Sequence, residues 1–125
     1  MHPAARGTRV ERVDAGGCPA VWMTPGGLAA AAPAAPQRVV MWVHGGAFIL
    51  CNAMTHARLL SSLGVEADAR VLSVEYPLAP EADYAGMLAG VQAAYHWLVD
   101  PAGGAADPES VVGNRITARY VIDTL

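Results

Sequence analysis

The run Val39-Val40-Met41-Trp42-Val43 breaks directly into His44-Gly45-Gly46-Ala47-Phe48, and no other stretch constrains the fold as much. Five successive apolar residues show no alternation, so a strand built from them is covered on both faces. That is the position of a strand inside a parallel sheet with helices on either side. The two glycines that follow lack a Cβ and tolerate φ > 0. The chain therefore leaves this strand in a tight turn whose backbone can come close to a ligand.

The remaining elements are spaced as such a sheet requires. Residues 19–24 (Pro-Ala-Val-Trp-Met-Thr) read as a short strand, and Arg38–Val43 as the strongest one. Residues 55–68 read as a helix with Leu59, Leu60 and Leu63 on one face and Thr55 as N-cap, weakened in its second half by Gly64. Residues 70–76 form the next strand, stopped by Pro77 and Pro80. Tyr84–Val99 is an amphipathic helix with Leu88, Val91, Tyr95 and Leu98 at helical spacing. Residues 109–112 begin another apolar segment, which Gly113-Asn114 cuts short. Strand, helix, strand, helix, strand start implies right-handed βαβ units, an α/β fold with a mostly parallel sheet. Residues 1–17 are polar and glycine-rich, with Val10 and Val13 a weak strand signal. Residues 25–36, an Ala/Gly/Pro run, and residues 101–108 read as loops.

Composition narrows the function. At 54% hydrophobic and 15% charged the chain is a folding sequence of one-domain length. A net charge of −3 without a basic block argues against nucleic acid as a partner. No apolar run approaches the roughly 18 residues of a membrane span. Met1-His2-Pro3-Ala4-Ala5-Arg6-Gly7 lacks the basic start and apolar core of a secretory signal, so a cytoplasmic location is expected. Cys18 and Cys51 are too few for a disulfide framework and read as buried thiols. No His, Cys or carboxylate pair has metal-ligand spacing, so neither metal nor cofactor is expected.

Three landmarks carry a family resemblance. The first is Val43-His44-Gly45-Gly46-Ala47-Phe48. The second is Val74-Glu75-Tyr76-Pro77-Leu78-Ala79-Pro80-Glu81. The third is Ala93-Ala94-Tyr95-His96-Trp97-Leu98, followed by Asp107-Pro108-Glu109-Ser110-Val111-Val112. In this order they resemble the hormone-sensitive-lipase branch of the α/β-hydrolase esterases, the GDXG or α/β-hydrolase-3 family. The resemblance implies the N-terminal part of an α/β-hydrolase fold, hydrolysis of carboxylic esters by serine acyl transfer, and a small ester or acyl ligand. It implies that His44, Gly45, Gly46 and Ala47 form the oxyanion loop. Gly46 and Ala47 would supply N–H groups, and His44 would hold the loop without acting as the general base. Tyr76 and Pro80 would shape the turn after their strand. Ala47 stands where the family has a third glycine, a tolerable change because the site asks only for a backbone N–H. Pro77 replaces the family's arginine.

The resemblance stops after Val112. Where the family continues into G-D-S-A-G-G, this chain reads Gly113-Asn114-Arg115-Ile116-Thr117-Ala118-Arg119-Tyr120. None of Ser61, Ser62, Ser73 and Ser110 is flanked by glycine at both −2 and +2, and Thr117 lacks those glycines too. The chain divides into an N-terminal segment and linker at 1–37, a hydrolase core portion at 38–112 and a divergent tail at 113–125. It is expected to be a truncated, catalytically incomplete esterase-like chain, with self-association through an unpaired sheet edge. Two alternatives stay open: a non-catalytic hydrolase-fold binding or interaction protein, and one part of an assembly whose other chain supplies serine, acid and histidine.

Overall fold

The computed structural model describes residues 3–29, 38–47, 49–100 and 111–113. The strands among them are β1 (Arg9–Ala15), β2 (Cys18–Thr24), β3 (Arg38–Val43), β4 (Ala69–Val74) and β5 (Val111–Gly113). The helices are α1 (Gly26–Ala29), α2 (Ala57–Ala67) and α3 (Tyr84–Val99). One sheet runs in the order β1-β2-β4-β3-β5. β4, β3 and β5 are parallel, with Val40 opposite Val71 and Val39 opposite Val111. β2 lies antiparallel along β4, and β1 closes a hairpin on β2. The expected parallel βαβ core is present, extended at one edge by an antiparallel hairpin.

That hairpin incorporates residues whose strand signal was weak. Its two-residue turn is Gly16-Gly17, at φ 67° and 97°. Positive φ at both central positions suits the right-handed twist of a two-residue hairpin, and Gly-Gly between two short runs is the signal that marks it. A Cβ on Gly16 would lie 2.9 Å from the Ala93 carbonyl oxygen and 3.2 Å from Trp97 Cβ. The turn therefore packs directly on α3, and the glycine is required by space as well as by φ.

The uninterrupted apolar strands separate into two faces. Trp22, Val39, Met41, Val43, Leu72 and Val74 pack with Met87, Val91, Ala94 and Leu98 of α3. Val21, Met23, Val71 and the partly buried Val40 and Trp42 pack with Ala57 and Leu60 of α2. Strand side chains alternate between faces, so an all-apolar strand feeds both clusters at once. Each large apolar side chain buried here contributes about 1.5–3 kcal/mol. Arg70 caps the α3 side, its guanidinium carbon 3.8 Å from the Trp22 ring centroid.

α3 matches its expected span, and Asp83 caps it by accepting from Gly86 N–H at 2.8 Å. Its buried line is Met87, Val91, Ala94 and Leu98, with Leu88 and Tyr95 half-buried at the margin. α2 differs in two respects. Its N-cap is His56, which makes no side-chain cap bond. The Thr55 hydroxyl instead accepts from Asn52 N–H at 2.8 Å, closing the turn that precedes the helix. The buried face is Ala57, Leu60, Ser61 and Gly64, so Leu59 points outward at 57% exposure. Gly64 decides this rotation, because a Cβ there would stand 2.9 Å from the Ala69 oxygen. Its missing side chain lets α2 lie close to β4.

Cys18 is buried at the start of β2, as expected, while Cys51 is half-buried, and both are free. Burial, then the nearby Asp14 and Glu75 carboxylates, pushes the Cys18 thiol from 9.0 up to about 11. Folding favours the neutral thiol. Its contribution is fully present below pH 9.0 and is lost as pH rises toward about 11. At mildly alkaline pH, Cys18 in the native chain is expected to resist a thiol-specific disulfide reagent. The denaturation midpoint should fall between pH 9.0 and about 11, and Cys18→Ala should flatten that fall. Rapid modification of Cys18 in the folded chain would contradict the assignment.

Candidate functional site

β3 and β4 are parallel with Val43 opposite Val74, so the residues that follow each strand emerge at the same edge of the sheet. This is the carboxyl edge, where open α/β sheets bind ligands. His44 follows β3 and Tyr76 follows β4. Both are buried, at 3% and 6% exposure. Their rings stack with centroids 4.5 Å apart and planes inclined by 19°.

Three successive peptide carbonyls of the loop are tied down. Tyr76 OH donates to the His44 carbonyl oxygen at 2.6 Å. His44 Nδ1 lies 2.8 Å from the Gly45 carbonyl oxygen. A carbonyl only accepts, so Nδ1 carries the proton. The Gly46 oxygen accepts from Ile49 N–H at 3.2 Å and Leu50 N–H at 3.0 Å. Among the described residues no acceptor takes up the Gly46 or Ala47 N–H. Burial, with Cys51 adding to it, raises the Tyr76 hydroxyl above its usual range and keeps it a donor.

Backbone conformation separates the two glycines. Gly46 adopts φ 122°, and a Cβ there would overlap the Leu50 carbonyl oxygen and stand 3.2 Å from Cys51 Sγ. A Cβ on Gly45 would meet nothing within 4 Å. Ala47 sits at φ 55°, a left-handed conformation that costs a non-glycine residue about 1–2 kcal/mol. Ile49 and Leu50 flank the loop with side chains 59% and 62% exposed. Phe48 lies outside the described residues.

His44, Gly45, Gly46 and Ala47 thus form one contiguous turn. Sequence reasoning gave Tyr76 only a turn-shaping part; its hydroxyl reaches back 32 residues to the loop. Among the described residues the serines stand elsewhere. Ser61 Oγ donates to Arg58 O and accepts from Ala5 N–H. Ser73, wholly buried, donates to Ala53 O at 2.8 Å. Ser62 is exposed on α2. His56 is half-buried, edge-on to Trp42, and His96 is exposed beside Tyr95. No three of His, Cys, Asp and Glu gather among the described residues, and no described helix is long and apolar enough to cross a membrane. Ser110 and residues 114–125, with Thr117, lie outside them.

Residues 40–115 match the family model of the alpha/beta hydrolase fold. The chain is 39% identical over 61 residues to the carboxylesterase/phospholipase LipF of Mycobacterium tuberculosis, covering 49% of this chain and 16% of that protein. It is 31% identical over 88 residues to an acetyl-hydrolase of Streptomyces hygroscopicus, covering 70% of this chain and 27% of that one. With the hormone-sensitive lipase of Bos taurus it shares 38% identity over 63 residues, covering 50% of this chain and 8% of the lipase. Among solved structures, an esterase from the bacterial hormone-sensitive lipase family superposes with a TM-score of 0.79 at 28% identity. That match covers 99% of this chain and 39% of the esterase. The chain spans less than a third of the length of each of these curated relatives.

Proposed function

From the premise that this chain belongs to the α/β-hydrolase family, in its hormone-sensitive-lipase branch, we propose that loop 44–47 is an oxyanion hole for carboxylic ester hydrolysis. Gly46 and Ala47 N–H are its donors. The observation that carries this reading is the pair of adjacent N–H groups, free of acceptors among the described residues, on a loop whose His44, Gly45 and Gly46 carbonyls are engaged. Fixed donors at such a place stabilise the charge that develops on a tetrahedral intermediate. Ile49 and Leu50 lie beside it as apolar surface for an acyl or alkyl group. His44 holds the loop and transfers no proton.

These 125 residues supply that half of the apparatus and hold no glycine-flanked serine, so we read them as catalytically incomplete by themselves. Joining the family continuation after Val112, with G-D-S-A-G-G, the later acid and the histidine, is expected to yield hydrolysis of short-chain p-nitrophenyl esters. A folded, completed chain that a fluorophosphonate fails to label would refute the reading.

The sheet's two edges differ in their protection. β1 carries Arg9, Glu11, Arg12 and Asp14, and charges of this kind blunt edge pairing. β5 is Val-Val-Gly and pairs on one side only, with β3, among the described residues. We propose self-association through β5. Sedimentation of the 125-residue chain should show dimers or larger species. A monodisperse monomer would count against it.

A further inference from the structure

We propose that Tyr76 is a positioning residue for the loop: its hydroxyl and its ring face together set the directions of the Gly45 and Gly46 N–H groups. The clamp stands on geometry; only the purpose of the Gly46 N–H, the one donor of the oxyanion reading that the clamp aims, rests on that reading. A trans peptide unit holds its C=O and N–H antiparallel, so a carbonyl tied on one side aims the next N–H to the other. Tyr76 OH ties the His44 carbonyl at 2.6 Å and thereby aims Gly45 N–H. The Tyr76 ring, stacked at 4.5 Å, holds the imidazole where Nδ1 reaches the Gly45 oxygen at 2.8 Å, which aims Gly46 N–H. Ala47 N–H is aimed locally, through the bonds from Ile49 and Leu50 to the Gly46 oxygen.

Tyr76 therefore governs two of the three peptide units from a different strand. The need is greatest at these positions, because adjacent glycines have the widest backbone freedom of any residue pair. Burial of both rings keeps water from competing for the hydroxyl bond, which strengthens it.

Backbone ¹⁵N relaxation on the 125-residue chain tests the clamp. In the wild type, Gly45 and Gly46 should show order parameters in the rigid range, about 0.85. Tyr76→Phe keeps the ring and removes the hydroxyl. Gly45 should then drop below about 0.6, and the His44 carbonyl carbon resonance should move, with β3 and α3 unchanged. His44→Phe keeps the stack and removes Nδ1–H, so Gly46 should loosen while Gly45 stays rigid. Ala47 should respond to neither.

A Tyr76→Phe chain with a lower Tm but unchanged loop order parameters would mean that Tyr76 only supports the fold, and would overturn the proposal. If that variant does not fold, two other results decide. The His44→Phe pattern and a slowly exchanging Tyr76 hydroxyl proton in the wild type support the clamp; a rigid Gly46 or a fast-exchanging hydroxyl overturns it. Titration of the wild type with sodium butyrate, followed at the Gly46 and Ala47 amides, separates the two claims. Loosening in the variants without a butyrate response keeps the clamp and removes the oxyanion reading. A butyrate response with both variants rigid does the reverse.

Discussion

The 125-residue chain should turn over p-nitrophenyl acetate and butyrate about 10⁶-fold more slowly than the same chain completed with its serine, acid and histidine. Losing the nucleophile of a serine hydrolase costs a factor of that order in kcat. Oxyanion donors and binding alone leave roughly 10³–10⁴ over water. The described serines offer no substitute. Ser61 and Ser73 are buried in hydrogen bonds to Arg58 and Ala53, and Ser62 lies exposed on α2. Initial rates with excess ester, set beside fluorophosphonate labelling, check the expectation. Stoichiometric labelling of any serine in the 125-residue chain would defeat it, because such a probe reports an activated nucleophile.

In the completed chain, Gly46→Pro should lower kcat by about 10²–10³, the usual effect of losing one oxyanion donor, or roughly 2.7–4 kcal/mol. Proline removes the N–H outright and demands φ near −65°, whereas Gly46 stands at φ 122° against the Leu50 carbonyl. KM should move less than kcat, since the donor serves the transition state more than the bound ester. Gly45→Ala is the control for stability: its Cβ meets nothing within 4 Å, so its Tm should stay near that of the parent. A Gly46→Pro enzyme within about twofold of the parent kcat, under ~0.5 kcal/mol, would show that this loop is not the oxyanion hole.

Much of the fold was legible because its signals are local. Residues 39–43 are apolar without alternation, and only a strand covered on both faces accommodates that; β3 feeds both α2 and α3 clusters. α3 announced itself through the helical spacing of Leu88, Val91, Tyr95 and Leu98, and the Asp83 cap came from the structure. The loop was legible through two glycines following a strand. The hairpin was less so. β1 is largely exposed and owes its place to pairing with β2, a contribution its own side chains do not encode. In the sequence it showed only as the weak signal of Val10 and Val13; the Gly16-Gly17 turn that closes the hairpin came from the structure. On α2, three leucines offered one face, but the close approach at Gly64 turned Leu59 to solvent.

By itself the sequence determined β2, β3, β4, α2 and α3, that the sheet has a parallel core, and that the chain after Val43 turns on glycine; it left β1 weak and read the residues of α1 as loop. These follow from side-chain period and backbone freedom within a few residues. Only the tertiary structure decided that Tyr76 would hold His44. That contact spans 32 residues and exists because the parallel register of Val43 with Val74 brings two strand ends to one edge. Register is a property of the paired strands and of what both faces bury. No window of the chain contains it.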